Sequence, residues 1–146
     1  GINVNDSELF ANWLNKSGRL PGARLCTEYE WERAARGADD RIYPHGNDID
    51  ATEANFDETY GQVGTNAGPD EVGTYPQSES PFGVFDMSGN VHEWTVSSVS
   101  KNGFLIRGGS NWNPRMMTNI TNRGEIDPKH RYGQIGLRIC ASFDPK

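Results

Sequence analysis

Phe82-Gly-Val-Phe-Asp-Met-Ser-Gly-Asn-Val-His-Glu-Trp94 is the stretch from which the fold is read. Two carboxylates, Asp86 and Glu93, flank a Ser88-Gly89-Asn90 turn, with Phe82, Val84, Phe85, Met87, Val91 and Trp94 interleaved. Such a turn aims several oxygens at one spot. Hard cations such as calcium are held that way, by carboxylates and backbone carbonyls together. A second reading of the same residues is a tight turn. In it Asp86 accepts from Ser88 or Gly89, and Glu93 pairs with an arginine.

Around this turn the chain is polar and rich in loops. Of 146 residues only 34% are hydrophobic, and there are 17 Gly and 8 Pro. That composition argues against a helical bundle and for one loop-rich domain over residues 1–146. Fifteen aromatics, four of them Trp, supply the bulk of a core. Lys and Arg number 14 against 20 Asp and Glu, a net charge of -6 that disfavours a nucleic-acid partner. No apolar run reaches the length of a membrane span, and no signal peptide is present.

Cys26 and Cys140 are the two cysteines. They read either as buried thiols or as one disulfide tying an early strand to the last one. Three glycosylation patterns begin at Asn5, Asn15 and Asn119, but chance matches are expected in so Asn-rich a chain.

Asp6 to Lys16 reads as a helix, with Leu9, Phe10, Trp13 and Leu14 at helical spacing, Asn5 or Asp6 as cap and Gly18 as stop. Thr27-Glu28-Tyr29-Glu30 is a capping box that opens a second helix with Trp31, Ala34 and Ala35 as its apolar stripe. Arg24 to Cys26, Phe104 to Arg107 and Ile135 to Cys140 read as strands. From Ala38 to Gln77 no period is sustained, and long stretches of this kind are usually functional or organised by metal.

Six ordered segments carry a family resemblance. Arg24-Leu-Cys-Thr-Glu-Tyr-Glu-Trp-Glu-Arg-Ala-Ala-Arg-Gly37 resembles the signature helix of the formylglycine-generating enzyme (sulfatase-modifying factor) family. Tyr43-Pro-His-Gly46, Ala54-Asn55-Phe56 and Val72-Gly73 follow in that family's order. The Phe82–Trp94 stretch, Arg107-Gly-Gly-Ser110, Arg123 and Ile135-Gly-Leu-Arg138 complete it. The resemblance implies an α+β, C-type-lectin-like fold. Two helices would pack on short twisted antiparallel strands, with long irregular loops held by calcium. The family's first strand and N-terminal segment have no counterpart here.

The resemblance also implies ligands. One calcium is expected on the Asp86 side chain, the Gly89 and Val91 backbone oxygens and the Glu93 side chain. A further one would use Asn55 and its neighbour Phe56. The partner loop for that ion, around Asn66 to Asp70, departs from the family's pattern. Either ion would be structural.

Members that oxidise cysteine carry a copper-binding cysteine pair shortly after the Arg-Gly-Gly-Ser motif, because soft copper(I) needs thiolates. The segment from Asn111 to Arg123 has no cysteine, so no copper and no oxidase activity are expected. The iron-dependent sulfoxide synthases resemble this family in one half and hold their iron with histidines elsewhere. His45, His92 and His130 are not spaced as ligands. No nucleophile–base pair and no phosphate-binding glycine loop is present.

The same segment offers a contact face for a protein or peptide. Asn111, Trp112, Asn113, Arg115, Met116, Met117, Asn119 and Thr121 mix aromatic, thioether, amide and guanidinium groups in one loop, which suits recognition. The plainer reading places Trp112 and Ile120 in the core and leaves the rest as a solvated loop. Some members with this resemblance are variable proteins of diversity-generating retroelements, and others are sensor-like modules on bacterial serine/threonine kinases. The expected function is thus a non-catalytic, calcium-stabilised ligand-binding module with its contact surface on residues 111–132. The alternative is part of an oxidase or sulfoxide synthase whose catalytic elements lie elsewhere.

Overall fold

Helix α1 spans Val4–Lys16 and opens on a reciprocal cap. The Asp6 amide donates to Asn3 Oδ1 at 2.9 Å, and the Asn3 amide to Asp6 Oδ2 at 3.0 Å. The cap therefore falls before the expected Asn5 or Asp6, which occupy the first turn. All three residues can cap, and Asn5 also has an acid, Glu8, three positions on, so the spacing alone does not single out Asn3, where the reciprocal box with Asp6 forms. In the computed structural model, which describes residues 1–61 and 68–142, the expected apolar stripe of α1 does not face the core. Val4, Ser7 and Ala11 are buried, whereas Leu9, Phe10 and Trp13 are exposed.

β1 (Ala23–Leu25) leads into α2 (Glu28–Arg36), whose cap is the Thr27–Glu30 box expected from its sequence. Glu30 does double duty, since Arg24 grips its two oxygens at 2.6 and 2.7 Å. Trp31 and Ala35 point inward with no exposed surface. β2 (His92–Val96), β3 (Phe104–Arg107), β4 (Arg123–Gly124) and β5 (Ile135–Leu137) form one sheet in the order β4-β3-β2-β5. β6 (Ile139–Ala141) leaves that sheet and pairs with β1, Arg24 opposite Cys140. The expected strand from Ile135 to Cys140 is therefore two strands that change sheets at Arg138.

Not every pairing is antiparallel. β5 runs parallel to β2, with Glu93 opposite Gly136. The chain from β3 through β4 supplies the long return that a parallel neighbour needs.

Three apolar clusters fill the interior. Trp31, Cys26, Ala35, Met87 and Ile120 make the first. Val4, Trp94, Ile106 and Ile135 make the second, and Tyr43, Ile49, Ala54 and Phe56 the third. The third organises the aperiodic stretch between α2 and β2, which otherwise contains only a short 3-10 turn, Pro76–Ser78, among its described residues. A disulfide joins Cys26 and Cys140 and fastens the β1–β6 pair to the first cluster.

Candidate functional site

Residues 86–90 coil tightly because Asp86, Gly89 and Asn90 all take left-handed backbone angles, φ 59°, 79° and 64°. Position 89 requires glycine twice over, since a Cβ there would run into the Asn55 carbonyl oxygen. Asn90 ties three loops together. Its amide donates to the Asn55 carbonyl at 2.7 Å, and its Oδ1 accepts from the Asp70 amide at 2.8 Å. Its carbonyl accepts from the Asn111 amide at 3.0 Å.

Glu93 leaves this turn at the start of β2 and is buried. Arg138 Nη2 donates to its Oε1 at 2.8 Å and Arg138 Nε to its Oε2 at 2.9 Å. Trp31 Nε1 donates to Oε2 at 2.6 Å. Glu93 is thus ion-paired to an arginine, as the tight-turn reading has it, and three N–H groups already occupy about three of its four lone-pair sites. Asp86 differs from the tight-turn reading in its partner. Its Oδ2 accepts from the Gly73 amide at 2.7 Å rather than from Ser88 or Gly89. Asp86, Asn90, Val91, Glu93 and Arg138 all line one open cleft of about 790 Å³.

No group of three or more His, Cys, Asp or Glu side chains converges among the described residues. A cation here would be held by two carboxylates and main-chain oxygens, with Asp86 Oδ1 and the remaining capacity of Glu93 as its anionic ligands. That donor set is hard and fits calcium in kind. A second observation bears on the further ion expected at Asn55. Asn55 is buried, and its Oδ1 receives no hydrogen bond among the described residues, an unusual vacancy for a buried oxygen. Asn66 of the expected partner loop lies outside the described residues. Asp70 instead accepts from the hydroxyls of Tyr60 and Tyr75 at 2.8 and 2.6 Å, and burial together with this contact pushes the Tyr75 hydroxyl well above its ordinary range.

The segment after β3 starts with Gly108 and Gly109, both left-handed. A Cβ on Gly109 would lie 2.9 Å from Thr118, so the glycine pair lets the loop fold back on itself. Arg107 pins the far end. Fully buried beneath the loop, it donates to Glu32 at 2.6 Å and to the carbonyls of Ile120 and Thr121 at 3.0 and 3.2 Å. Desolvation lowers its affinity for its proton, and Glu32 opposes that.

Within this frame the expected contact residues divide. The Asn113 side-chain Oδ1 accepts from Ser110, and its Nδ2 lies 3.8 Å from Met117 Sδ. Asn119 caps the Thr121 and Asn122 amides, and Thr121 turns its hydroxyl onto Asn119. Arg115 reaches across to Glu58 and Asp48. Asn111 is buried, against the expectation of a contact residue. Oriented to satisfy both neighbours, its amide donates to the Asn90 carbonyl and accepts from Trp112 Nε1 at 3.1 Å. Trp112 is 62% exposed and Met116 73%, with Met117 beside them in the 3-10 turn Arg115–Met117. Ile120 is core and Trp112 is not.

The three histidines stay apart in role: His45 sits 3.3 Å from Glu53, and His130 packs edge-on against Tyr132. Burial pushes the His92 imidazole below its ordinary value. Sequence reasoning passed over Asn90, Trp31 and Arg138 as partners of the Asp86–Glu93 loop. A non-glycine residue placed straight after glycine in a tight turn was the available signal for Asn90.

An α+β domain of two helices, two small sheets and long loops, closed by a cysteine pair and carrying this turn before β2, is of the formylglycine-generating-enzyme type. Residues 1–143 match the model of the sulfatase-modifying factor enzyme 1-like domain, and the chain belongs to that family. The inactive C-alpha-formylglycine-generating enzyme 2 of Mus musculus is 30% identical over 155 aligned residues, covering 97% of this chain and 47% of that protein. PvdO from Pseudomonas aeruginosa superposes with a TM-score of 0.78 at 28% identity, over 94% of this chain and 59% of its own. Treponema denticola variable protein 1 superposes with a TM-score of 0.67 at 26% identity, over 80% of this chain and 46% of its own. The chain spans about half the length of the inactive-enzyme relatives, 47–48%.

Proposed function

We propose that this chain is a non-catalytic, calcium-stabilised ligand-binding module whose contact surface is built on residues 111–132. The observation that carries the reading is the outward display of Trp112, Met116 and Met117 on a loop whose polar groups are spent internally. Large apolar side chains held out on a rigid frame lose little entropy on binding, which favours them as anchors. The likenesses to an inactive enzyme and to a variable protein support it. Both cysteines are joined in the disulfide, which leaves no thiolate for copper(I). Calcium would act on the scaffold, one ion drawing Asp86, Glu93 and the Gly89 and Val91 carbonyls together and a further one taking up the oxygen of Asn55.

Selection of a random peptide library displayed on phage against the immobilised chain tests the contact surface. Enriched peptides should bind the parent chain and lose binding to Trp112→Ala. Peptides that ignore Trp112, Met116 and Met117 alike would refute the surface. Family membership keeps the catalytic alternative in view, with parts of an oxidase or sulfoxide synthase supplied from outside these residues. Copper binding by the purified chain, or oxidation of a cysteine-containing peptide, would establish that alternative instead.

A further inference from the structure

Helix α1 presents a second face that the fold leaves uncovered. Asp6, Leu9, Trp13 and Lys16 follow a 3-4-3 spacing, and at about 100° per residue they fall within an arc of roughly 80°. That spacing is the seam of a short coiled coil. It lies opposite Val4, Ser7 and Ala11, the face that meets the core. Leu9 is 60% exposed, Phe10 45% and Trp13 46%. Trp13 is also held in place: Phe10 stacks on it at 5.6 Å, and the Arg19 guanidinium lies 4.8 Å from its ring.

The seam reads acid, apolar, apolar, base. Arg131 holds both Asp6 oxygens at 2.7 Å and the Asn3 amide a third site, which keeps the carboxyl ionised and leaves about one lone-pair site for a further donor. Lys16 is exposed at the other end and forms no ion pair among the described residues. A sequence of that kind is complementary to itself when reversed. Antiparallel pairing that sets Leu9 beside Trp13 also sets Asp6 beside Lys16, because both pairs are centred on residue 11.

We propose that α1 is a self-association surface, on which two copies of this chain pack α1 against α1 antiparallel about a two-fold axis. Leu9 of one copy then meets the partner's Trp13, and Lys16 meets the partner's Asp6. Such an isologous contact uses one patch twice. An anionic membrane is the less suitable occupant, because the chain carries a net charge of -6. The seam is under two heptads long, so the dimer is weak, forming between about 10 µM and about 1 mM.

Sedimentation equilibrium of the purified chain across that range tests the proposal. The weight-average mass should climb from one chain toward two. Leu9→Glu should raise the dissociation constant about tenfold or more. Lys16→Glu should raise it about two- to fivefold, the range of an exposed ion pair. Both positions are exposed, and unchanged circular dichroism will show that both variants fold. A chain that stays monomeric at 1 mM overturns the proposal, as does Leu9→Glu dimerising like the parent. Flotation of the monomer with phosphatidylserine vesicles would assign the face to a membrane and overturn it equally.

Discussion

Trp31 and Glu93 lie 62 positions apart and meet through one buried hydrogen bond of 2.6 Å between the indole Nε1 and the carboxylate Oε2. The bond joins the signature helix α2 to the signature turn before β2. The two most recognisable segments of the chain are therefore one structural unit. Arg138, from the end of β5, completes it.

This unit sets the first prediction. Trp31→Phe keeps an aromatic ring but withdraws a donor from a buried carboxylate, which costs about 1–3 kcal/mol. Glu93→Ala strands both the indole N–H and the Arg138 guanidinium, and removing one partner of a buried pair costs about 3–5 kcal/mol. Urea denaturation followed by tryptophan fluorescence checks the order, with Glu93→Ala the more damaging.

Calcium makes the second prediction. An ion that binds only the native state raises stability by RT ln(1 + [L]/Kd), about 2.7 kcal/mol at a hundredfold excess over Kd. The melting temperature should fall on chelation and recover with excess calcium. Asp86→Ala should remove that response, because its free Oδ1 is the anionic ligand least committed to other partners. An unchanged melting temperature in chelator would refute the assignment to Asp86 and Glu93.

The disulfide supports a third. It closes a loop with a sequence separation of 114, and in the chain-entropy model that constraint contributes about 4–5 kcal/mol by limiting the unfolded chain. Replacing both Cys26 and Cys140 with alanine should lower the urea midpoint accordingly. The slope should change too, because the unfolded state expands when the crosslink is lost.

Local signals were legible in the sequence and non-local ones were not. The Thr27–Glu30 box acts over three residues, so its sequence announces the start of α2 directly. The Gly108–Gly109 pair likewise declares a close approach, here to Trp31 and Thr118. The stripe on α1 has the right period but faces outward, because periodicity names a face without saying what covers it. The break at Arg138 depends on β6 finding β1, more than a hundred residues away. A separation of 45 residues hid Arg138 as the partner of Glu93, and the parallel β2–β5 pair is non-local in the same way. Trp112 reads from the sequence either as a contact residue or as core, because a large aromatic suits both. Only the bond from its N–H to Asn111 shows how a tryptophan is held outward.

Acid response gives a fourth prediction. Arg24, with the Thr27 amide and hydroxyl, lowers the Glu30 carboxyl from its ordinary 4.5 to about 2. Arg131 and the Asn3 amide lower Asp6 from 3.8 to about 2. Both folded values lie below the unfolded ones, so the native state binds fewer protons. The stabilisation is complete above about pH 4.5 and is lost as pH falls toward about 2. Glu30 is substantially solvated, which keeps its share small. The melting temperature of Arg24→Ala should lie below the parent's at pH 7, and the two should converge near pH 2. A difference that persists in acid would assign the effect to packing of the Arg24 stem.

Stability and recognition should separate cleanly within the segment that follows β3. Trp112 and Met116 are exposed, and alanine at either position should shift folding stability by no more than about 0.5 kcal/mol. Peptides selected on the parent chain should nonetheless weaken by more than about 1 kcal/mol, the mark of an interface anchor. Ile120 is fully buried against Trp31 and Met87, and Ile120→Ala should cost about 2–5 kcal/mol of stability. If its folded fraction binds the same peptides with parent affinity, the segment holds two functions a few residues apart: Ile120 and Arg107 anchor the loop, and Trp112 and Met116 use the surface so fixed. A common loss of binding in all three variants would place the contact energy in the loop's fold instead, and Trp112 would then be a spectator.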